Sequence, residues 1–166
     1  MGQTSLQVER TILHVDDDPA LTRIVGARLR ACEYDVAALN DPTLAMKTII
    51  GGAFRVVVLD VAMPKIHGIE LLRQIKAHDG GIQVIMLTGL LTMTTVLEAM
   101  RAGAEACFFK PVSNIDPLIG AIDQAFRKLD CWWAALDDLS RRRKSGWNDR
   151  HDAEAVMTVA ASHREP

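Results

Sequence analysis

Residues Arg55 to Gly68 read RVVVLDVAMPKIHG. Arg55 to Leu59 is a nearly continuous apolar run without polar alternation, the pattern of a central parallel strand buried on both faces. It stops at Asp60, passes through a Met63-Pro64 turn and leads to Ile69–Ala77, a helical stretch closed by Asp79-Gly80-Gly81. A strand buried on both faces requires helices above and below it, so the segments on either side should repeat the alternation.

They do. Upstream, Thr11 to Val15 (TILHV) is apolar and stops at Asp16, Asp17 and Asp18. Pro19 suits a first helical turn, and Leu21, Ile24, Val25 and Leu29 recur at helical spacing. Tyr34 to Leu39 reads as a second strand; Asp41-Pro42 opens a second helix, which Gly51-Gly52 ends. Downstream, Ile82 to Leu87 is a fourth strand, Thr92 to Ala102 a fourth helix and Glu105 to Phe109 a fifth strand, with a fifth helix from Ile115. Five strand–helix units predict a doubly wound α/β fold, a five-stranded parallel sheet with helices on both faces. The expected organisation is a domain over 10–129, an extension of the fifth helix over 130–145 and a polar, mobile tail over 146–166.

At 166 residues, one well-cored domain and an appendage fit. A net charge of −2 gives no global basic field, so nucleic acid is not an expected partner. No apolar run approaches the roughly 20 residues that span a bilayer, and residues 1–10 lack the apolar core of a signal peptide. Cys32, Cys107 and Cys131 show neither metal-ligand spacing nor a disulfide framework, which predicts a reduced, cytoplasmic setting.

In such sheets ligand sites form at the carboxyl ends of the strands. Strand one ends at Asp16 and Asp17, strand three at Asp60, strand four at Thr88 and strand five at Lys110. Three carboxylates raise one another's pKa unless a cation joins them, and an all-oxygen set suits Mg²⁺. Lys110 can hold a phosphate oxygen as a point charge and Thr88 can donate to another. The chemistry is that of a site for an incoming phosphoryl group with one carboxylate as nucleophile.

The same residues carry a resemblance. Ile12 to Asp17 (ILHVDD), Asp60 to Gly68 (DVAMPKIHG), Val84 to Gly89 (VIMLTG), Gly103-Ala104 and Phe109-Lys110-Pro111 stand in the order and spacing of the receiver domain of two-component response regulators. The resemblance implies a flavodoxin-like fold and a phosphorylation switch of the single-domain, chemotaxis or phosphorelay type. It implies Asp60 as phosphoacceptor, Thr88 and Lys110 as binders of the phosphoryl oxygens, and Mg²⁺ held by Asp16, Asp17, Asp60 and the Ala62 backbone carbonyl. The donor would be a sensor histidine kinase or histidine phosphotransfer protein, and output would pass to another protein by contact. Such a domain catalyses only its own phosphorylation and dephosphorylation. A rival reading, an Mg²⁺-dependent phosphohydrolase with an aspartyl nucleophile, expects a second Asp two positions after the first, where Ala62 stands.

Receivers commonly carry Tyr or Phe three positions before the strand-five lysine; here that position is Cys107, and Phe108 should face the other way. Movement of Thr88 is therefore expected to reach the output surface through backbone or loop shifts. His14, His67 and His78 share no ligand spacing and read as structural or surface residues, and Asp18 as a helix cap. Beyond the domain edge, Trp132, Trp133, Leu136 and Leu139 continue the helical stripe and predict an exposed apolar face. Homodimerisation through them is the first expectation, and a fold-back by the last 20 or so residues the second. A constitutive dimeric adaptor is the corresponding alternative function.

Overall fold

Strand β3 (Val56–Leu59) has no exposed residue. In this computed structural model, which describes residues 9–90 and 92–144, β3 lies at the centre of a five-stranded parallel sheet ordered β2-β1-β3-β4-β5. The other strands are β1 (Thr11–Val15), β2 (Asp35–Leu39), β4 (Gln83–Thr88) and β5 (Ala106–Phe109). Helices α1 (Pro19–Arg30), α2 (Ala45–Gly51), α3 (Gly68–His78), α4 (Met93–Arg101) and α5 (Asp116–Lys144) follow the strands in turn. The expected tail, 146–166, lies outside the described residues.

Boundaries move by a residue or two where local chemistry competes with periodicity. Tyr34 precedes β2 because its N–H still bonds back to Leu29 O of α1 at 3.3 Å; its hydroxyl donates to Asp123 and its ring stacks on Phe126, 5.7 Å between centroids. Asp41 caps not an α-helix but a 3-10 helix, Pro42–Leu44, accepting from the Thr43 N–H, and α2 begins at Ala45. Asp18 caps α1, accepting from Ala20 N at 2.8 Å with Pro19 at the first helical position.

Alternation along the strands divides the core in two. Leu13, Val15, Val57, Leu59, Val84 and Met86 face a cluster closed by Ala45 and Ile49 of α2, Leu72 and Ile75 of α3 and Ala99 of α4. Ile12, His14, Val56, Val58, Ile85 and Leu87 have the opposite parity, with Val25 and Leu29 of α1 and Ile122 and Phe126 of α5 left for that side. Each fully buried Leu, Ile or Val contributes roughly 1.5–3 kcal/mol.

The strand order fixes where a ligand can bind. From β1 the chain turns through α1 outward to β2, and from β3 it turns through α3 the other way to β4. The connections diverge between β1 and β3 and leave a crevice at their carboxyl ends. Asp16 and Asp60 are the first residues past those ends.

Two units divide the chain, one through Asp130 and the other from Cys131. In the second, Trp132, Leu136 and Leu139 are exposed, at 66%, 51% and 53%. Trp133, expected with them, is only half-exposed, because 133 turns away from the 132–136–139 row. Among the described residues no helix is long and apolar enough to cross a membrane.

Candidate functional site

Backbone hydrogen bonds set the acidic side chains. The Asp60 N–H donates to Val15 O at 3.0 Å, extending the β1–β3 ladder by one rung. The Asp16 N–H donates to Leu39 O at 3.1 Å, and the Asn40 side chain donates to Asp16 O at 2.7 Å. Asp16 Oδ1 accepts from Asp18 N at 3.0 Å, and Asp60 Oδ1 from Val61 N at 2.6 Å. Both carboxylates are buried, while Asp17 is exposed. Ligand oxygens of the three lie within 4.8 Å of one another.

Lys110 reaches this group from the end of β5. Its N–H bonds Thr88 O at 2.9 Å, and its Nζ stands 2.8 Å from Asp60 Oδ2 and 2.7 Å from Asp16 Oδ2. The second contact is a close ion pair without hydrogen-bond alignment. Burial pulls the Lys110 pKa down, but close contact with the charged Asp16 and Asp60 outweighs it, and the net direction is up. Burial likewise raises the Asp16 pKa, against the pull of Lys110 and of the Asp18 N–H. Three carboxylates against one ammonium leave a formal charge of about −2, and the donors are all oxygen, which fits a hard divalent cation.

Thr88, fully buried at the end of β4, accepts through Oγ1 from Leu90 N at 3.1 Å. Ala62 is exposed, its N–H 3.3 Å from Asp60 Oδ1. Thus Asp16, Asp17, Asp60 and Lys110 come together directly, and Thr88 is tied to Lys110 through the backbone. Cys107 is half-buried against the α2–α3–α4 side of the core, and burial raises its thiol pKa. Phe109, not Phe108, is the exposed ring of β5, at 42%.

Two further contacts shape the site, one at the Gly68 that closes the Asp60–Gly68 motif and one at His14, which a reading by spacing misses. Gly68 donates its N–H to Val61 O at 2.8 Å, which presses the start of α3 onto the Asp60 backbone. His14 shares the strand face of Asp16, two residues on, and is fully buried with its Nε2 4.0 Å from Asp16 Oδ2. Burial, reinforced by the Lys110 charge and opposed by Asp60, lowers its pKa to about 4, so the ring is neutral at pH 7. The i, i+2 relation was the available signal; searches for ligand spacing pass over it.

Across residues 12–123 the sequence matches the family described as the response regulator receiver domain. It is 34% identical over 114 residues to the transcriptional regulatory protein ZraR of Escherichia coli K12, covering 69% of this chain and 26% of that protein. With the transcriptional regulatory protein FixJ of Bradyrhizobium diazoefficiens it shares 31% over 116 residues, covering 70% of this chain and 56% of FixJ. Its fold matches a CheY-like response regulator receiver domain protein from Methanospirillum hungatei JF-1, with a TM-score of 0.67, 28% identity, and coverage of 71% and 94% of the two chains. It also matches the response regulator TrrA from Thermotoga maritima, solved in complex with Mg²⁺-BeF, with a TM-score of 0.64, 25% identity, and coverage of 69% and 97%. The chain belongs to the response regulator receiver domain family, whose members are phosphorylation switches. It spans about a quarter of ZraR and little more than half of FixJ.

Proposed function

We propose that the switch operates through Asp60, which accepts a phosphoryl group from a phosphohistidine on a sensor kinase or histidine phosphotransfer protein. A carboxylate oxygen of Asp60 attacks phosphorus, the new O–P bond forms as the N–P bond breaks, and the electron pair leaves with the donor imidazole. The observation that carries this reading is the single ammonium of Lys110 held between the two buried carboxylates Asp16 and Asp60. That cation is poised to follow charge from the carboxylate to a phosphoryl oxygen.

Asp16, Asp17, Asp60 and the Ala62 carbonyl would hold Mg²⁺, which when bound offsets negative charge on the incoming phosphoryl oxygens. Thr88 would give up its turn contact to Leu90 N and donate its hydroxyl proton to a phosphoryl oxygen. The changed surface includes α4, β5 and α5, where Met93, Leu97, Met100 and Phe109 are already exposed and apolar. That surface supports output by protein contact, and a cytoplasmic setting is proposed with it. The receiver over 10–129 is joined to the helical extension, whose Trp132, Leu136 and Leu139, with part of Trp133, would seat a second copy.

The test is intact-mass spectrometry after incubation with Mg²⁺ and acetyl phosphate. One labile phosphate is expected on the wild type and none on Asp60→Ala. A wild type that takes no label overturns the reading. Turnover of a panel of phosphate esters would instead favour the phosphohydrolase.

A further inference from the structure

Among the described residues, four buried side-chain atoms have no hydrogen-bond partner, and three of them meet at one place. They are both ring nitrogens of His14 and Oδ2 of Asp16; the fourth, Oε1 of Gln83, lies at the far end of the sheet. Buried polar atoms are ordinarily paired, and a strand position flanked by Ala38 and Val58 would accept an apolar side chain at no such cost. The two unpaired ring nitrogens of His14, beside an Asp16 oxygen held only by the Lys110 ion pair, therefore point to a state in which they are used.

The contacts identify that state. Asp16 Oδ2 is held by Lys110 at 2.7 Å, and Lys110 also holds Asp60 at 2.8 Å. If Lys110 turns to a phosphoryl group on Asp60, its ammonium moves away from Asp16. Oδ2 then loses its ammonium, and even with Asp16 holding Mg²⁺ the buried carboxylate keeps a lone pair that calls for a hydrogen-bond donor, as ligating carboxylates ordinarily have. His14 Nε2 is 4.0 Å from the same oxygen, about 1 Å beyond hydrogen-bond reach, and a neutral imidazole has one N–H to give.

We propose that His14 is a positioning residue for the phosphorylated state: as Lys110 leaves Asp16, the imidazole closes on Asp16 Oδ2 and donates its Nε2–H. The exchange keeps Asp16 oriented while the lysine serves the phosphoryl group. It rests on the reading of Asp60 as phosphoacceptor. It needs no change in the protonation of His14.

Beryllofluoride with Mg²⁺, as in the TrrA complex, serves as the phosphoryl probe on the full chain. His14→Val removes the donor, and its affinity for the probe should fall about tenfold, the effect of losing one hydrogen bond to a charged group. His14→Gln keeps a side-chain N–H of similar reach and should recover most of that loss. The probe-free His14→Val protein should unfold at the same or higher urea concentration than wild type, which a merely structural histidine would not allow. In ¹⁵N-resolved spectra of the wild-type imidazole, adding the probe should move the Nε2–H proton downfield.

Equal probe affinity in wild type and His14→Val, with an unmoved Nε2–H signal, overturns the proposal and leaves Asp60 untouched. Wild type that fails to bind the probe at all removes the phosphoacceptor reading and this inference with it.

Discussion

A Cβ atom placed on Gly68 would lie 1.9 Å from the carbonyl oxygen of Asp60 and 2.7 Å from Val61 Cα. The start of α3 is thereby pressed against the backbone that carries the central carboxylate. Lys65, inside the same loop, has a positive φ of 70°, so the loop is tight at two points.

Gly68→Ala should force the loop and helix apart, since backbone cannot yield as a flexible side chain would. The expected cost is about 2 kcal/mol, from overpacking against fixed atoms. Urea unfolding measures it. Titration calorimetry should show weaker Mg²⁺ binding in the same variant, because Asp60 moves with its backbone. Unchanged stability and metal affinity would show that the loop relaxes freely.

Lys110→Met removes the cation that competes with a metal for Asp16 and Asp60. Mg²⁺ affinity in the unphosphorylated protein should rise, by about tenfold at the effective dielectric of a partly buried site. Beryllofluoride binding should fall in the same variant. Calorimetry on both ligands separates the two roles, and parallel losses of both affinities would count against the competition.

The pH dependence of stability should carry the signature of His14. Its folded pKa of about 4 lies below the ordinary value of 6.5, so above pH 6.5 it is neutral in both states and contributes nothing. Between pH 6.5 and about 4 the unfolded chain binds a proton that the folded chain refuses, and stability falls. The full loss approaches roughly 3 kcal/mol. Urea midpoints at pH 7 and 4.5 should therefore converge for His14→Val relative to wild type. An identical pH slope in both proteins would place the titration elsewhere.

Trp132, Leu136 and Leu139 stand at 4-3 spacing, on one face of a helix. If a second copy covers them, sedimentation equilibrium should give a concentration-dependent mass. Leu136→Glu should return the protein to a monomer without lowering its unfolding midpoint, since an exposed leucine adds little to the monomer. Comparison with and without beryllofluoride distinguishes constitutive from switched assembly. A wild type monomeric under both conditions refutes the dimer.

The legible part of this protein was what local pattern encodes. Unbroken apolar runs at 56–59 and 84–87 mark strands buried on both faces, and each is followed by its helix because parallel strands need a crossover. Asp16, Asp60, Thr88 and Lys110 were placed by the same logic, since a strand's carboxyl end is visible as the point where the apolar run stops. Trp133 turns away from the exposed row and α2 starts at Ala45 after a 3-10 turn, because the turn of a helix face and the choice of a 3-10 over an α turn depend on small angular differences.

Short-range periodicity encodes the alternation of strand and helix and which side chains reach the common edge. The folded arrangement alone reveals that one ammonium serves Asp16 and Asp60 together, although Lys110 is 50 residues beyond Asp60. Only it decided that Gly68 abuts the Asp60 carbonyl and that His14 lies buried and unpaired beneath Asp16. These are distances between strands and loops, set by sheet order and register, and periodicity along the chain carries no measure of them.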